Sequence, residues 1–258
     1  MDIENKIFLG DAETILNNFQ DKCIDLTITS PPYSDLRHYG NTLSNETWND
    51  NKFRKIADEL YRVTKDGGVV VWIVNDKTEN GGKTLVSFRQ ALYFQEIGFN
   101  VNDVMCWRKT NPMPVVKQPR YTDVFEYMFI LSKGKPKTFN PIMVPCKCAD
   151  QKYHSTTKNI GGENGRTYKE FNINKEKIKE NVWDFAVAQN KTEHPAVFPQ
   201  SLIEDHIKSW SNEDDIVLDP FIGSGTTALA AKKLNRKYVG IEINNDYYNL
   251  INKRISNI

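Results

Sequence analysis

The chain has 258 residues, a length that fits one large domain or one α/β domain with a smaller insertion. Hydrophobic residues make up 39% and charged residues 26%, which excludes a disordered chain, and the net charge of +1 gives no argument for nucleic-acid binding from bulk charge. There is no signal-peptide pattern and no apolar run of membrane-spanning length, so the sequence predicts a cytoplasmic protein with four free thiols.

The first half of the chain alternates strand-like and helix-like segments. Apolar runs rich in Val, Ile and aromatic residues predict buried strands, and the helix-like stretches between them predict a mostly parallel sheet covered on both faces. The last two runs have no helix between them and predict an antiparallel hairpin. The predicted strands are Lys6–Leu9, Ile24–Thr29, Gly68–Asn75, Val101–Arg108 and Val124–Leu131, and the predicted helices are Asp50–Val63 and Lys83–Ile97.

Residues 133–192 break this alternation, because they are polar, rich in lysine and without periodicity. They predict a small inserted region or long loops. Basic residues in this region are candidates for phosphate contacts or an ordinary solvated surface: Lys133, Lys135, Lys137, Lys147, Lys152, Lys158, Arg166 and Lys169. Cys146, Cys148 and His154 fit no familiar zinc spacing and lack an evident fourth ligand, so no metal site is predicted.

The α/β alternation then resumes around a glycine-rich loop. The predicted elements are a helix at Val197–Trp210, a strand at Ile216–Asp219, a helix at Thr226–Leu234, a strand at Tyr238–Glu242 and a final helix from about Asn245. The loop DPFIGSGTT between strand and helix lets the backbone approach a ligand, and Glu242 at the next strand end is suited to accept hydrogen bonds from ribose hydroxyls. Together they predict a nucleoside-binding unit, although the glycine pattern alone also fits a dinucleotide-binding loop.

A second motif, TSPPY, directly follows the predicted strand Ile24–Thr29. Pro31 and Pro32 have fixed φ angles and no amide hydrogen, so the carbonyls beside them are held rigidly. The Ser30 hydroxyl and an adjacent carbonyl can accept hydrogen bonds from an amino group, and Tyr33 offers a ring on which a planar base can stack. The position at the carboxyl end of a strand, where ligands of such sheets bind, favours a functional motif over a simple turn.

The two motifs resemble the glycine-rich and catalytic motifs of bacterial N4-cytosine/N6-adenine DNA methyltransferases, and their order, catalytic motif first, resembles the permuted beta class. Three further segments agree with the resemblance: LGDAETIL with Asp11, WRKTNPMP followed by Arg120 and Glu126, and HPAVFP from His194 to Pro199. The resemblance implies a Rossmann-like α/β fold, circularly permuted, with a catalytic domain at 1–132 and 193–258 and a target-recognition region at 133–192. It implies S-adenosylmethionine as the cofactor, bound by Asp11, Asp219, Phe221, Gly223, Ser224, Gly225, Thr226 and Glu242.

The resemblance also implies a mechanism, in which Ser30, Pro31, Pro32 and Tyr33 act on a base flipped out of duplex DNA. Ser-Pro-Pro-Tyr favours cytosine N4, whereas Asp-Pro-Pro-Tyr would favour adenine N6, so adenine stays the second choice. Three more distant functions compete with these two: a catalytically silent DNA-binding relative, an RNA or protein methyltransferase, and a nicotinamide- or flavin-dependent oxidoreductase, which would leave TSPPY unexplained. A homodimer and a cognate restriction endonuclease are further partners that the resemblance suggests.

Overall fold

Residues 2–32, 48–114, 119–149, 151–158, 166–187 and 198–257 are described in a computed structural model of the chain. The helices are α1 (Ala12–Leu16), α2 (Asp50–Val63), α3 (Val86–Glu96), α4 (Gln200–Trp210), α5 (Thr226–Lys233) and α6 (Asn245–Ser256). The strands are β1 (Lys6–Leu9), β2 (Ile24–Thr29), β3 (Thr64–Val74), β4 (Thr78–Glu79), β5 (Gly82–Lys83), β6 (Asn100–Lys109), β7 (Phe125–Ser132), β8 (Met143–Pro145), β9 (Lys152–Lys158), β10 (Arg166–Asn172), β11 (Glu176–Ile178), β12 (Val182–Phe185), β13 (Ile216–Asp219) and β14 (Lys237–Glu242).

Eight strands form one sheet in the order β1-β14-β13-β2-β3-β7-β6-β12. All neighbours are parallel except β7, which runs antiparallel to both β3 and β6. The predicted mostly parallel α/β sheet and the predicted antiparallel hairpin of β6 and β7 are therefore confirmed. The permuted order is visible in the sheet: β2, which leads into TSPPY, precedes β13, which leads into the glycine-rich loop, in the chain and lies beside it in the sheet.

The core lies on both faces of this sheet. From Val69 to Val74 successive side chains of β3 point to opposite faces, and every one of them is buried. On one face β3 packs with α2, whose buried residues recur every three or four positions from Phe53 to Val63. That helix begins at the Asn49 cap, whose side chain accepts a hydrogen bond from the Lys52 amide at 2.9 Å.

The polar region of the chain differs from its expected outline. The described residues divide into two compact units, 1–140 with 181–258, and 141–180. The second unit contains the antiparallel pairs β8–β11 and β9–β10. In contrast, β12, within the expected insertion, joins the main sheet beside β6, with Trp183 buried. The sequence of β12, VWDF, contains an aspartate and follows a polar, lysine-rich stretch, so it shows no continuous apolar run and the sequence does not predict this strand.

Lys133 also differs from the expectation of a phosphate contact. Its ammonium donates to the carbonyls of Tyr61 at 2.6 Å and Thr64 at 3.0 Å and lies 4.4 Å from the centre of the Tyr61 ring. Burial lowers the pKa of Lys133. The residue therefore holds the end of β7 against the end of α2 and is not a free surface cation. Within the described ranges, no helix combines the length and the hydropathy of a membrane span.

Candidate active site

The predicted functional residues meet at one edge of the sheet. Five parallel strands, β1, β14, β13, β2 and β3, are neighbours, so their carboxyl ends lie side by side. Leu9 pairs with Glu242, and the Gly10 amide donates to the Glu242 carbonyl at 2.8 Å. Asp219 ends β13 and Thr29 ends β2. Residues that are far apart in sequence are thereby brought to the place where such sheets bind ligands.

The glycine-rich loop turns sharply between β13 and α5. Gly223 has φ 53° and Gly225 has φ 86°, a left-handed conformation that side chains rarely adopt. A Cβ at Gly225 would lie 3.0 Å from Ile251 Cγ2 of α6. Gly225 is also the residue that precedes the first turn of α5, which begins at Thr226. The glycine is thus required both by its backbone angle and by the close approach of α6.

Glu242 is buried at the end of β14, with 7% of its surface exposed. Its carboxylate accepts hydrogen bonds from the backbone amides of Gly223 at 2.9 Å and Asn244 at 2.8 Å. Burial raises the pKa of Glu242 to about 7, against the opposing effect of these two amides. The glycine loop is therefore attached to the strand that ends beside it, and the carboxylate keeps lone pairs for a further donor.

Asp219 lies beneath the loop with 2% of its surface exposed. Its Oδ1 accepts from the Thr29 hydroxyl at 2.7 Å and the Phe221 amide at 3.1 Å, and its Oδ2 accepts from the Thr227 hydroxyl at 2.7 Å. Burial raises the pKa of Asp219 to about 6. In the structure Asp219 joins β2, the glycine-rich loop and α5 through these three hydrogen bonds. Its contact with the cofactor stays a prediction.

Asp11 follows β1 and caps the short helix α1, accepting from the Thr14 amide at 3.3 Å. Its Oδ1 also lies 2.7 Å from the Lys52 ammonium, which contacts Glu13 at the same distance. The side chain is one-third exposed. Asp11 therefore has a structural role as a cap, and its predicted cofactor contact stays a prediction.

The catalytic motif begins where β2 ends. Ser30 and Pro32 are half-buried and Pro31 is buried, so a hydroxyl and rigid carbonyls stand at the carboxyl edge beside the glycine loop. Tyr33 lies outside the described residues, as do His194 to Val197. Of the remaining motif residues, Ser224 and Thr226 are buried at the start of α5, and the Arg254 guanidinium donates to the Ser224 carbonyl.

Aromatic rings pack around Phe221 in the glycine-rich loop. The Phe221 ring is half-buried and meets the edge of Trp48 at 5.2 Å between centroids, with Trp72 at 6.5 Å. The sequence does not predict Trp48 or the bonding role of Thr29 and Thr227. Threonine directly before Ser-Pro-Pro and at the start of α5 is the available signal, but only the fold brings both hydroxyls to one carboxylate.

The segment WRKTNPMP reaches the same edge from β6. The Lys109 ammonium lies 2.6 Å from Glu126 Oε1, and both side chains are mostly buried. The Trp107 indole donates to the Phe185 carbonyl at 3.0 Å and its ring lies 6.4 Å from Phe198. A buried ion pair and the Trp107 ring therefore lie at the carboxyl end of β6, on the same edge of the sheet as the catalytic motif. No described group of His, Cys, Asp and Glu has the arrangement of a metal site.

Comparison with known proteins agrees with this geometry. The model of the N6/N4 methyltransferase family, described as DNA methylase, matches residues 24–253. The orphan methyltransferase M.BamHII of Bacillus amyloliquefaciens is 46% identical over 256 residues, covering 93% of this chain and 91% of that protein. The Type II methyltransferase M.HpaI of Haemophilus parainfluenzae is 31% identical, covering 98% of this chain and 74% of that protein.

Two solved structures share the fold. The PvuII DNA methyltransferase (cytosine-N4-specific) superposes with a TM-score of 0.72 at 22% identity, covering 97% of this chain and 86% of its own. The complex of M1.HpyAVI with S-adenosylmethionine superposes with a TM-score of 0.62 at 25% identity, covering 96% of this chain and 98% of its own. The resemblance predicted from the two motifs is confirmed, and the chain belongs to the DNA methylase family of N6/N4 methyltransferases.

Proposed function

We propose that the chain transfers a methyl group from S-adenosylmethionine to the N4 amine of a cytosine in duplex DNA. The observation that carries the proposal is the juxtaposition of Ser30-Pro31-Pro32 with the glycine loop at one sheet edge. Thr29, directly before this tripeptide, bonds to Asp219, directly before the loop, at 2.7 Å. An acceptor amine and a methyl donor held by these two segments would be neighbours.

The residues at the loop suit a nucleoside with a positive charge. Glu242 has a carboxylate able to accept from ribose hydroxyls, and the half-buried Phe221 ring offers an apolar surface to an adenine. Asp219, directly before the loop, supplies negative charge that favours a cofactor with a positive charge over a pyrophosphate. When bound, S-adenosylmethionine supplies an electrophilic methyl group on a sulfonium. The donor set therefore fits this cofactor better than a dinucleotide.

The catalytic residues act on the acceptor amine. Its lone pair is conjugated with the base, so the nitrogen is a poor nucleophile. Hydrogen bonds from the amine to the Ser30 hydroxyl and the Pro31 carbonyl would favour a more tetrahedral nitrogen with an available lone pair. Tyr33 would stack on the flipped base. The neutral hydroxyl of Ser30, where adenine-specific relatives carry an aspartate, is the reason to place cytosine before adenine.

The polar region supplies the expected contact with DNA sequence. We propose that residues 133–192 contain the target-recognition region and that its core is the compact unit 141–180. Lys133 is excluded from the phosphate contacts, since its ammonium is bound to carbonyls of the catalytic unit. A cognate restriction endonuclease is a further prediction; among the relatives, M.HpaI is named a Type II methyltransferase and M.BamHII an orphan methyltransferase.

A homodimer is proposed on an exposed apolar face. Leu85, Phe88 and Leu92 form a stripe along α3, with Leu92 65% exposed. The centres of the Phe88 and Tyr127 rings are 5.1 Å apart, so the stripe meets one face of β7. The apolar surface continues on the same face of the sheet through Val104 of β6 and Val182 of β12, which are 43% and 49% exposed. An apolar face this wide is typical of a protein–protein interface. A second copy of the chain is the proposed occupant.

The function is tested by incubating the protein with methyl-labelled S-adenosylmethionine and DNA of diverse sequence, then identifying the labelled nucleoside. Label in N4-methylcytosine is expected. Label in N6-methyladenine would keep the methyltransferase and overturn the choice of base. Absence of label in DNA, with binding of S-adenosylmethionine demonstrated, would overturn the function in favour of an RNA or protein substrate or a silent relative. The Ser30→Ala variant should bind the cofactor normally and transfer methyl groups more slowly.

A further inference from the structure

We propose that Thr29 is a positioning residue, whose side-chain hydroxyl fixes the catalytic tripeptide Ser30-Pro31-Pro32 relative to the cofactor loop. The inference rests on the proposed methyl transfer and concerns how its two reacting groups are aligned. Thr29 is the last residue of β2 and Asp219 the last residue of β13, and the two strands are parallel neighbours. The Thr29 Oγ1 to Asp219 Oδ1 distance is 2.7 Å.

The hydrogen bond between Thr29 and Asp219 can fix the end of β2 relative to the glycine-rich loop. Thr29 is completely buried and Asp219 is 2% exposed, so water does not compete for the bond. A hydrogen bond to a carboxylate is stronger than one between neutral groups. The same carboxylate accepts the Phe221 amide at 3.1 Å and the Thr227 hydroxyl at 2.7 Å. One side chain therefore joins the end of β2, the glycine loop and the first turn of α5.

A second threonine in β2 shows that the contact is specific. Thr27 lies two residues before Thr29 and is also completely buried. Its hydroxyl has no hydrogen-bond partner among the described residues. A buried hydroxyl without a hydrogen-bond partner is unfavourable. Replacement of the Thr27 hydroxyl by a methyl group would therefore remove no hydrogen bond. The strand thus contains a matched pair of threonines, of which only the one beside Ser30 is bonded to the loop.

Alignment matters for this chemistry because in-line transfer needs the amine nitrogen close to the methyl group. A displacement of about 1 Å can cost about a hundredfold in rate when reacting groups are held for attack. Ser30 and Pro31 follow Thr29 directly, so a shift at the end of β2 moves the groups proposed to bind the amine. The cofactor is held by the loop and Glu242, which keep their own contacts. Loss of the Thr29 bond is therefore expected to slow transfer more than it weakens cofactor binding.

The test compares Thr29→Val, Thr29→Ser and Thr27→Val in the full chain. Each is measured for the S-adenosylmethionine dissociation constant, DNA affinity and single-turnover rate of DNA methylation. Thr29→Val should slow the single-turnover step by about tenfold or more while cofactor affinity stays within about threefold. Thr29→Ser, which keeps the hydroxyl, should restore most of the rate. Thr27→Val should match the parent protein.

Several outcomes would overturn the inference. They are an unchanged rate in Thr29→Val, an equal loss in Thr29→Ser, or an equal loss in Thr27→Val. If Thr29→Val does not fold, Thr29→Cys replaces it, because a thiol is a weak hydrogen-bond donor of similar size. A methylation rate in Thr29→Cys equal to that of Thr29→Ser would then contradict the proposal. If the parent protein methylates DNA and the variants do so at the same rate, only the role of Thr29 is rejected. If the parent protein methylates no DNA, the proposed function is rejected, and the inference with it.

Discussion

Two buried carboxylates, Asp219 and Glu242, flank the glycine-rich loop of the candidate active site. Burial raises the pKa of Asp219 to about 6 and that of Glu242 to about 7, above the ordinary 3.8 and 4.5. Both groups therefore favour the folded state when protonated, and that contribution is lost as pH rises through 6 and 7. A bound ligand that donates hydrogen bonds or carries positive charge would offset this loss, since it favours the charged forms.

The raised pKa of Glu242 makes cofactor binding sensitive to pH. S-adenosylmethionine should bind more tightly at pH 8 than at pH 6.5, because protonation of the ligand-free carboxyl competes with ribose hydrogen bonding. In Glu242→Gln, affinity should be weaker at pH 8 by about tenfold, the effect of losing a charged acceptor, and should change little with pH over this range. Isothermal titration calorimetry at several pH values measures both.

The same titration on Glu4→Gln serves as a control, because Glu4 pairs with Lys237 at 2.9 Å on a partly exposed surface. Its profile should match that of the parent protein. An unchanged pH profile in Glu242→Gln would show that another group controls the binding.

Among the elements, the loop between β13 and α5 is the most constrained by geometry. Gly225 adopts φ 86°, and a Cβ there would approach Ile251 Cγ2 at 3.0 Å. Gly134, at the end of β7, adopts φ 75°, and a Cβ there would meet nothing within 4 Å. The two glycines have the same backbone requirement and differ in crowding, so they form a matched pair.

Replacement of each glycine by alanine separates the two costs. Gly134→Ala should lower the free energy of unfolding by about 1 kcal/mol, the cost of a left-handed alanine. Gly225→Ala should lower it by about 2 kcal/mol or more, because α6 must also shift. Urea denaturation of the ligand-free proteins measures the difference. Equal losses would show that Ile251 moves aside at no cost, and that only the backbone angle requires glycine at position 225.

The elements also show what a single sequence can predict. Strands β1, β2 and β13 and helix α2 have the predicted bounds, because apolar runs and helical periodicity are local signals. The short helix α1, the β4–β5 hairpin and the four-residue β12 are not predicted. Their formation depends on neighbours: β12 exists because it pairs with β6, and α3 begins late because Leu85 before it is left-handed.

The candidate site is predictable to a similar degree. Motifs are sufficient to select Ser30, Asp219 and Glu242, since residue type and strand position carry that information. The two hydroxyls that bond Asp219 could not be predicted. Thr29 reaches it because β2 and β13 are adjacent, and Thr227 reaches it through the turn of the glycine-rich loop between β13 and α5. Side-chain partners across parallel strands are a property of the sheet order and have no local pattern.

At the scale of the whole molecule, an apolar face stays exposed beside α3 and the end of the sheet formed by β6 and β12. It is defined by Leu85, Phe88, Leu92, Val104 and Val182. Burial of several such side chains on association would contribute about 25 cal/mol for each Å² removed from water. The face is therefore the surface on which we propose that two copies of the chain associate.

Substitution at this face is expected to change the oligomeric state. The parent protein should elute with twice the mass of one chain in size-exclusion chromatography with light scattering, and Leu92→Asp should elute as a monomer, because a carboxylate cannot be buried there without a partner. Ile178→Asp, at another exposed apolar residue, in the 141–180 unit, should remain a dimer. A monomeric parent protein, or a dimeric Leu92→Asp variant, would reject this interface.

The position of β1 beside β14 has a consequence for synthesis on the ribosome. The sheet partner of β1 is β14, so β1 must wait until β14 has been made before it can pair. Pairing of such distant segments is slow, because a long loop must close before any contact is gained. The nascent chain can assemble β2, β3, β7 and β6 while its N-terminal strand stays unpaired. Synthesis of β14 is then the event that completes the sheet edge where the Gly10 amide bonds to the Glu242 carbonyl.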